Sequence, residues 1–303
     1  MKYPFFRLKF GEFRKKIGSP KNCVTKSDTD QLRTNTKNMN IIFTGDIVGA
    51  SARKAICEKL PELKREYSCS FCVANAENAA GGAGVTAKIL SDFTPGLIDV
   101  FTGGDHTWDQ KEFQNEISSL RSFLRPANFK AGQPGRGWGV FNSSEGAEIA
   151  VISLAGRVFM KDSFAECPFE TADKILKEIP PSINKIIVDF HAEATSEKAA
   201  LAHYLDGRVS AVLGTHTHVQ TNDNKILAGG TAFISDVGMV GSEYSILGRD
   251  VKAVINKFTS GMPTRLEVAK GNTRIDAVVI SLNEANGKAV DIKKLGIITE
   301  VTN

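Results

Sequence analysis

The chain has 303 residues, 42% of them apolar and 24% charged, with 27 glycines and 10 prolines. This composition supports a sizeable buried core and excludes collagen-like and proline-rich chains. No apolar run approaches the roughly 18 residues that cross a bilayer as a helix, and the net charge of +4 is carried by the N-terminus: residues 1–38 hold +7, leaving −3 for residues 39–303.

Residues 1–38 show little periodicity after Gly18. Phe5, Phe6, Phe10 and Phe13 interleave with bases in a way that would suit a short basic amphipathic helix. The expectation is a basic, disordered extension over 1–38 ahead of one domain over 39–303. From Met39 the pattern is regular. Asn40–Thr44 is a short apolar strand running into Gly45-Asp46, and residues 51–66 place Ile56, Leu60 and Leu63 on one helix face. A strand over Ser70–Ala76 ends at Glu77, a short helix covers 85–93, and a strand over Leu97–Phe101 leads to Gly103-Gly104-Asp105-His106. The stretch 124–146 is long, glycine-rich and aperiodic, the pattern of a lid or surface excursion. A strand over Ala147–Leu154 and a helix over Thr171–Ile179 precede the strand Lys185–Phe190, which ends at His191. A helix over Ser196–Leu205, with Ser196 as N-cap, leads to the strand Val209–Leu213 and then to Gly214-Thr215-His216-Thr217-His218. Thr231–Ser235 is a strand, and the C-terminus reads as a hairpin of Asp276–Leu282 and Val290–Ile298 about a turn at Asn283–Lys288. Strands alternating with helices predict α/β layering.

The five cysteines (Cys23, Cys57, Cys69, Cys72, Cys167) are an odd number, and no continuous apolar segment follows Met1. Reduced thiols in a cytoplasmic protein are expected. Cys69-x-x-Cys72 has no partner pair and reads as small residues entering a strand rather than as a zinc site.

The informative pattern is where acids and imidazoles fall. Asp46, Glu77, Asp105, His191 and the pair His216/His218 each follow an apolar strand, and four of the five histidines (106, 191, 216, 218) belong to these positions. The carboxyl ends of strands in α/β sheets converge on one edge, where ligands bind. Any one such residue alone reads as a turn former or helix cap; the joint occurrence is what points to a site. His216 and His218, two apart, point the same way if the segment is extended. Three carboxylates and three imidazoles exceed a tetrahedral zinc set and suit two cations ~3.5–4 Å apart. Mixed O/N ligation without thiolate favours Mn, Fe or Zn. Asn78 offers an amide oxygen beside Glu77, while His203 lies inside a helix as a packing or surface residue.

The segments GDIVG (45–49), NAENAAGG (75–82), GGDHTWD (103–109), DFHAEATSEK (189–198), GTHTHVQT (214–221) and SDVGM (235–239) resemble, in order, those of bacterial calcineurin-like metallophosphoesterases of the YmdB type. The resemblance covers Met39 to the end. It implies a calcineurin-like fold, α/β with two β-sheets packed face to face and flanked by helices, around a di-metal site that hydrolyses phosphodiesters. Residue by residue it puts Asp46, Glu77, Asn78, His191, His216 and His218 on metal positions, with Glu77 bridging, and His106 on the general-acid position. Asp105 occupies a ligand position where the family carries Asn, so its carboxylate adds negative charge there.

The expectation is therefore a phosphodiesterase with two divalent transition-metal ions, Fe or Mn before Zn. It would act on small cyclic nucleotides by attack of a hydroxide shared between the cations, with His106 protonating the leaving alkoxide. The acidic body disfavours long nucleic acid as a substrate, and self-association stays open. Two alternatives stand beside this reading: a metal- and nucleotide-binding signalling protein with weak turnover, and a phosphomonoesterase or nucleotidase.

Overall fold

The computed structural model describes residues 37–160 and 165–300; residues 1–36 of the expected extension lie outside them, whereas Lys37 and Asn38, assigned to it from the sequence, are described, and Asn38 opens the first strand. In chain order the elements are β1 (Asn38–Thr44), β2 (Asp46–Ile47), α1 (Gly49–Glu66), β3 (Cys69–Asn75), α2 (Ala87–Ser91), β4 (Val100–Thr102), α3 (Phe113–Glu116), β5 (Phe123–Leu124), β6 (Trp138–Asn142) and β7 (Glu148–Ala155). They continue with α4 (Pro168–Glu178), β8 (Ile186–His191), α5 (Thr195–Leu205), β9 (Ala211–Thr215), β10 (Lys225–Ile226), β11 (Ala232–Ile234), β12 (Met239–Ser242), α6 (Val251–Ser260), β13 (Thr273–Asn283) and β14 (Ala289–Thr299).

These strands form two sheets. One has the order β2-β12-β13-β1-β3-β4-β5, with β14 also paired to β13; the other runs β10-β11-β9-β8-β7-β6. The strands that matter for the site are parallel within each sheet: β1, β3 and β4 in the first, β7, β8 and β9 in the second. Alternation along the strands accounts for the layering. Ile41, Phe43, Phe71 and Val73 of one sheet form a single buried cluster with Ile149, Val151, Ile187 and Leu213 of the other. Their sequence neighbours face outward under helices: Ile42 and Cys72 pack with Ile56 and Leu60 of α1, and Ile152 and Val188 pack with Ile175 of α4 and Leu201 of α5. Where both faces of a sheet are covered, as along β1, β3, β8 and β9, the strands read as nearly continuous apolar runs.

Cys69 and Cys72 both belong to β3 and to the cluster beneath α1. A shift in the β1–β3 register, with Asn40 opposite Cys69 and Ile41 opposite Phe71, makes Ser70 an extra residue and brings both cysteines to one face. Burial pushes the Cys69 thiol up to about 11, so it is a packing residue, as is Cys72.

Several sequence expectations need correction. The stretch 124–146, aperiodic in sequence and expected as a lid or surface excursion, contains a strand, β6, which pairs antiparallel with β7. Its remainder is tied down by Arg125, whose guanidinium donates to the carbonyls of Pro126, Gln133 and Pro134, and by Asn128, which donates to the Ala155 and Glu166 carbonyls. Helix α5 starts at Thr195 behind an extended Ala194, so Ser196 is not its cap. Helix α4 begins three residues before the expected Thr171, because Pro168 sits where a missing N–H costs nothing. Helix α6 escaped the sequence reading: only Val254 among its residues is buried, so the apolar stripe is faint. His203 is on the surface.

Candidate metal centre

The carboxyl ends of β1, β3 and β4 in one sheet and of β8 and β9 in the other deliver the expected residues to a common place. Asp46 follows β1 through Gly45, where a Cβ would lie 2.1 Å from the Gly238 carbonyl oxygen; only glycine lets the chain pass this close to the 235–239 segment. The Asp46 amide then donates to that same carbonyl at 3.1 Å. Glu77 and Asn78 follow β3, Asp105 and His106 follow β4, His191 ends β8, and His216 and His218 follow β9.

Two overlapping groups result. In the first, ligand-capable atoms of Glu77, Asp105, His191 and His216 all lie within 4.8 Å of one another, a set that could hold a metal ion. His191 Nε2 is 3.1 Å from Glu77 Oε1 and 3.0 Å from Asp105 Oδ1, and His216 Nδ1 is 3.0 Å from His191 Nε2. The second group meets the first at the same Glu77 oxygen, Oε1. Asn78 Nδ2 is 3.1 Å from Glu77 Oε1 and 3.3 Å from His218 Nε2, and His218 Nε2 is 3.9 Å from Asp46 Oδ1. Turned about its terminal bond, the Asn78 amide presents its oxygen to the same position. Glu77 is the residue common to both groups.

A cation fits this set. Asp46 Oδ1 is completely buried and has no hydrogen-bond partner, a costly arrangement for a carboxylate unless something positive faces it. Asp46, Glu77 and His191 are 0–1% exposed. Burial raises Asp46, whereas for Glu77 and Asp105 burial is outweighed by the neighbouring histidines, which hold both carboxyls below the usual range. His191, whose own burial works against its charge, is held well above the usual imidazole range by Glu77 and Asp105. The acids and His191 thus favour each other's charged forms, and a cation held by this set would supply positive charge at the same place.

The three imidazoles each turn one nitrogen inward and the other onto a fixed partner. His191 Nδ1 meets Thr215 Oγ1 at 2.9 Å, and that hydroxyl donates to Asp189 Oδ1 at 2.7 Å. His218 Nδ1 lies 3.1 Å from the Leu247 carbonyl, and His216 Nε2 lies 3.2 Å from Glu193 Oε2. Such outer partners select the tautomer and orient a ligating ring. The sequence reading did not pick out Asp189, Glu193, Thr215 or Leu247 as supports, although three of them sit inside the motifs it quoted. Their roles depend on contacts across β8, β9 and the 247 loop.

One expectation about geometry fails. The 216–218 segment is not extended: His216 has φ 104° and His218 φ 63°. The two rings reach the same cluster through a turn, not through strand alternation. Non-glycine residues in this region carry strain of order 1–3 kcal/mol each, and the turn is held by backbone hydrogen bonds from His216 N–H to Asp46 Oδ2 and from Thr217 N–H to Asp236 Oδ2.

His106 sits at the rim. Its backbone N–H donates to Glu77 Oε2 at 3.1 Å, its Nδ1 is 2.8 Å from Asp109 Oδ2, and its Nε2 is 3.8 Å from Asp105 Oδ2. Burial lowers its basicity, but Glu77, Asp105 and Asp109 outweigh this and raise it. The side chain is one-third exposed.

Residues 42–295 match the family model described as YmdB-like protein. The 2',3'-cyclic-nucleotide 2'-phosphodiesterase of Bacillus subtilis is 46% identical over 257 residues, covering 85% of this chain and 96% of that protein. Among solved structures, a phosphatase of Mycoplasma pneumoniae superposes with a TM-score of 0.80 at 30% identity, covering 88% of this chain and 95% of its own. A hypothetical protein of Thermus thermophilus gives 0.79 at 35%, covering 86% and 99%. The two-sheet architecture, the expected segments in their expected order and these likenesses agree: the chain belongs to the YmdB-like protein family.

Proposed function

We propose that this protein is a metal-dependent phosphodiesterase that opens 2',3'-cyclic nucleotides at a dinuclear centre. The observation that carries the reading is the pair of ligand-capable groups meeting at Glu77: Glu77, Asp105, His191 and His216 in one, and Asn78, His218 and Asp46 in the other. The substrate class comes from the relative in Bacillus subtilis. Two divalent ions, Fe or Mn before Zn given the O/N donors, would supply charge neutralisation at the phosphate and an activated water.

The chain's own residues do the rest. Asp109 accepts the Nδ1 proton of His106 and leaves Nε2 directed at the cluster. The acids around His106 raise its basicity, which favours the protonated ring from which Nε2 can deliver a proton to the leaving alkoxide. Thr215, Leu247 and Glu193 hold the other three rings with one nitrogen inward. Phosphate affinity must come from the centre itself, because residues 39–303 carry a net −3, which also disfavours long nucleic acid. The free thiols Cys57, Cys69, Cys72 and Cys167 support a reducing, cytoplasmic setting, and no described helix is long and apolar enough to cross a membrane.

The test is hydrolysis, with added Mn²⁺, Fe²⁺ or Zn²⁺, of a 2',3'-cyclic nucleotide, a 3',5'-cyclic nucleotide, a chromogenic phosphodiester and the matching monoester. Metal-dependent cleavage favouring the 2',3'-cyclic diester is expected. A preference for the monoester would make the protein a phosphomonoesterase, and metal binding without turnover would make it a signalling protein.

A further inference from the structure

We infer that the buried ion pair between Lys198 and Asp236 positions the two-histidine turn and, through it, the ligand set; this rests on the metal reading above. Lys198 is 1% exposed, and its Nζ lies 2.8 Å from Asp236 Oδ2, itself on a residue that is 1% exposed. Neither side chain belongs to the ligand cluster. Both oxygens of Asp236 are committed to backbone on opposite sides of it. Oδ2 accepts the Thr217 N–H at 2.9 Å, between His216 and His218, and Oδ1 accepts the Gly238 N–H at 2.9 Å. Gly238 in turn accepts the Asp46 amide through its carbonyl. One carboxylate therefore ties the turn carrying two imidazoles to the segment that seats Asp46.

The lysine reaches this point from α5 along Gly214. A Cβ there would lie 3.0 Å from Lys198 Cδ and 1.7 Å from the Ser235 carbonyl oxygen, so the passage exists only beside glycine. Buried ion pairs are often no more stabilising than apolar residues of the same shape, so stability alone is a weak reason for this pair. The geometry supplies a better one. His216 and His218 both hold left-handed φ values, and the Thr217 amide between them needs a fixed, charged acceptor to keep the turn in that form. Lys198 balances the charge of Asp236 and fixes its orientation for that bond.

The number of acceptors gives a sharp test. A carboxylate has two oxygens, and each already serves a backbone donor; an amide has one. Asp236→Asn, though isosteric, must release either Thr217 or Gly238. The double variant Lys198→Met/Asp236→Asn does the same while leaving no unpaired buried charge, which protects the fold. Mn²⁺ would be titrated into metal-free full-length protein, with free Mn²⁺ counted by its electron paramagnetic resonance signal. Far-UV circular dichroism and melting of the metal-free chains would run in parallel.

Both variants are expected to keep the wild-type circular dichroism spectrum and to bind Mn²⁺ roughly 10–100-fold more weakly, the range for loss of an outer-shell support. Wild-type Mn²⁺ affinity in either folded variant, with only the melting temperature lowered, would show that the pair merely stabilises and would overturn the inference. If the wild-type chain does not bind Mn²⁺, it is the metal reading that fails.

Discussion

His106 Nδ1 and Asp109 Oδ2 are 2.8 Å apart across three residues of one turn, and this pairing decides which nitrogen of the rim histidine faces the centre. If Nε2 is the proton donor, His106→Ala loses roughly 10²–10⁴-fold in kcat on a cyclic nucleotide. The loss shrinks for a nitrophenyl diester, whose leaving group needs little protonation, while bound metal is unchanged. Asp109→Asn produces a smaller loss with the same leaving-group dependence. Equal losses on good and poor leaving groups would remove His106 from the general-acid role.

Elemental analysis of gently purified protein is expected to approach two transition-metal ions per chain. Because Glu77 belongs to both groups, Glu77→Gln depletes both ions. His218→Ala leaves the Glu77, Asp105, His191 and His216 set complete and retains about one ion, as the two-site arrangement requires. Full occupancy in His218→Ala would place that histidine outside the centre.

Asp105 Oδ1 lies 3.0 Å from His191 Nε2 and 3.3 Å from His216 Nδ1, so it is part of the cluster. Asp105→Asn removes one negative charge from the ligand set. Metal is then lost faster to a chelator, and the acidic limb of the pH–rate profile moves to lower pH, since less-neutralised cations acidify bound water more strongly. An unchanged limb together with unchanged metal retention would mean that Asp105 does not touch the ions.

Gly104 has no room for a side chain. A Cβ would lie 2.2 Å from Glu77 Oε2 and 2.4 Å from His191 Nε2, both on buried ligands that cannot retreat. Gly104→Ala is expected to abolish metal binding while leaving the two sheets folded, read by metal content and circular dichroism.

Residues 1–36 are expected to be dispensable for hydrolysis. The cut belongs before Lys37, whose ammonium pairs with Glu145 and Glu284 and whose carbonyl accepts the Glu284 N–H. A chain starting there should match full-length kcat and melting temperature. Loss of activity or solubility would assign the extension a part in the folded domain.

The sequence by itself determined the α/β class, most of the strands and the residues that gather at their ends. Apolar runs such as Asn40–Thr44 and Lys185–Phe190 are buried on both faces, and a polar residue directly after such a run has few roles other than turning the chain or meeting a ligand. The family motifs added the partners of each of those residues only as sets; which atoms meet was decided in three dimensions. Helix α6 and strand β6 stayed illegible because one carries a single buried residue and the other lies in a stretch ordered by its own Arg125 and Asn128, which bond to main-chain carbonyls and leave no apolar periodicity to read. The division of the ligands about Glu77 and the supports from Glu193, Thr215 and Asp236 depend on groups far apart in the chain, and the left-handed turn at His216 and His218 depends on backbone angles that side-chain periodicity does not encode; the Asp109 support is local, three residues from His106, but needs the turn to form. Strand-end chemistry is local and can be read from residue order; orientation within the site comes from hydrogen bonds between the two sheets and their loops, and only the packed tertiary structure supplies those.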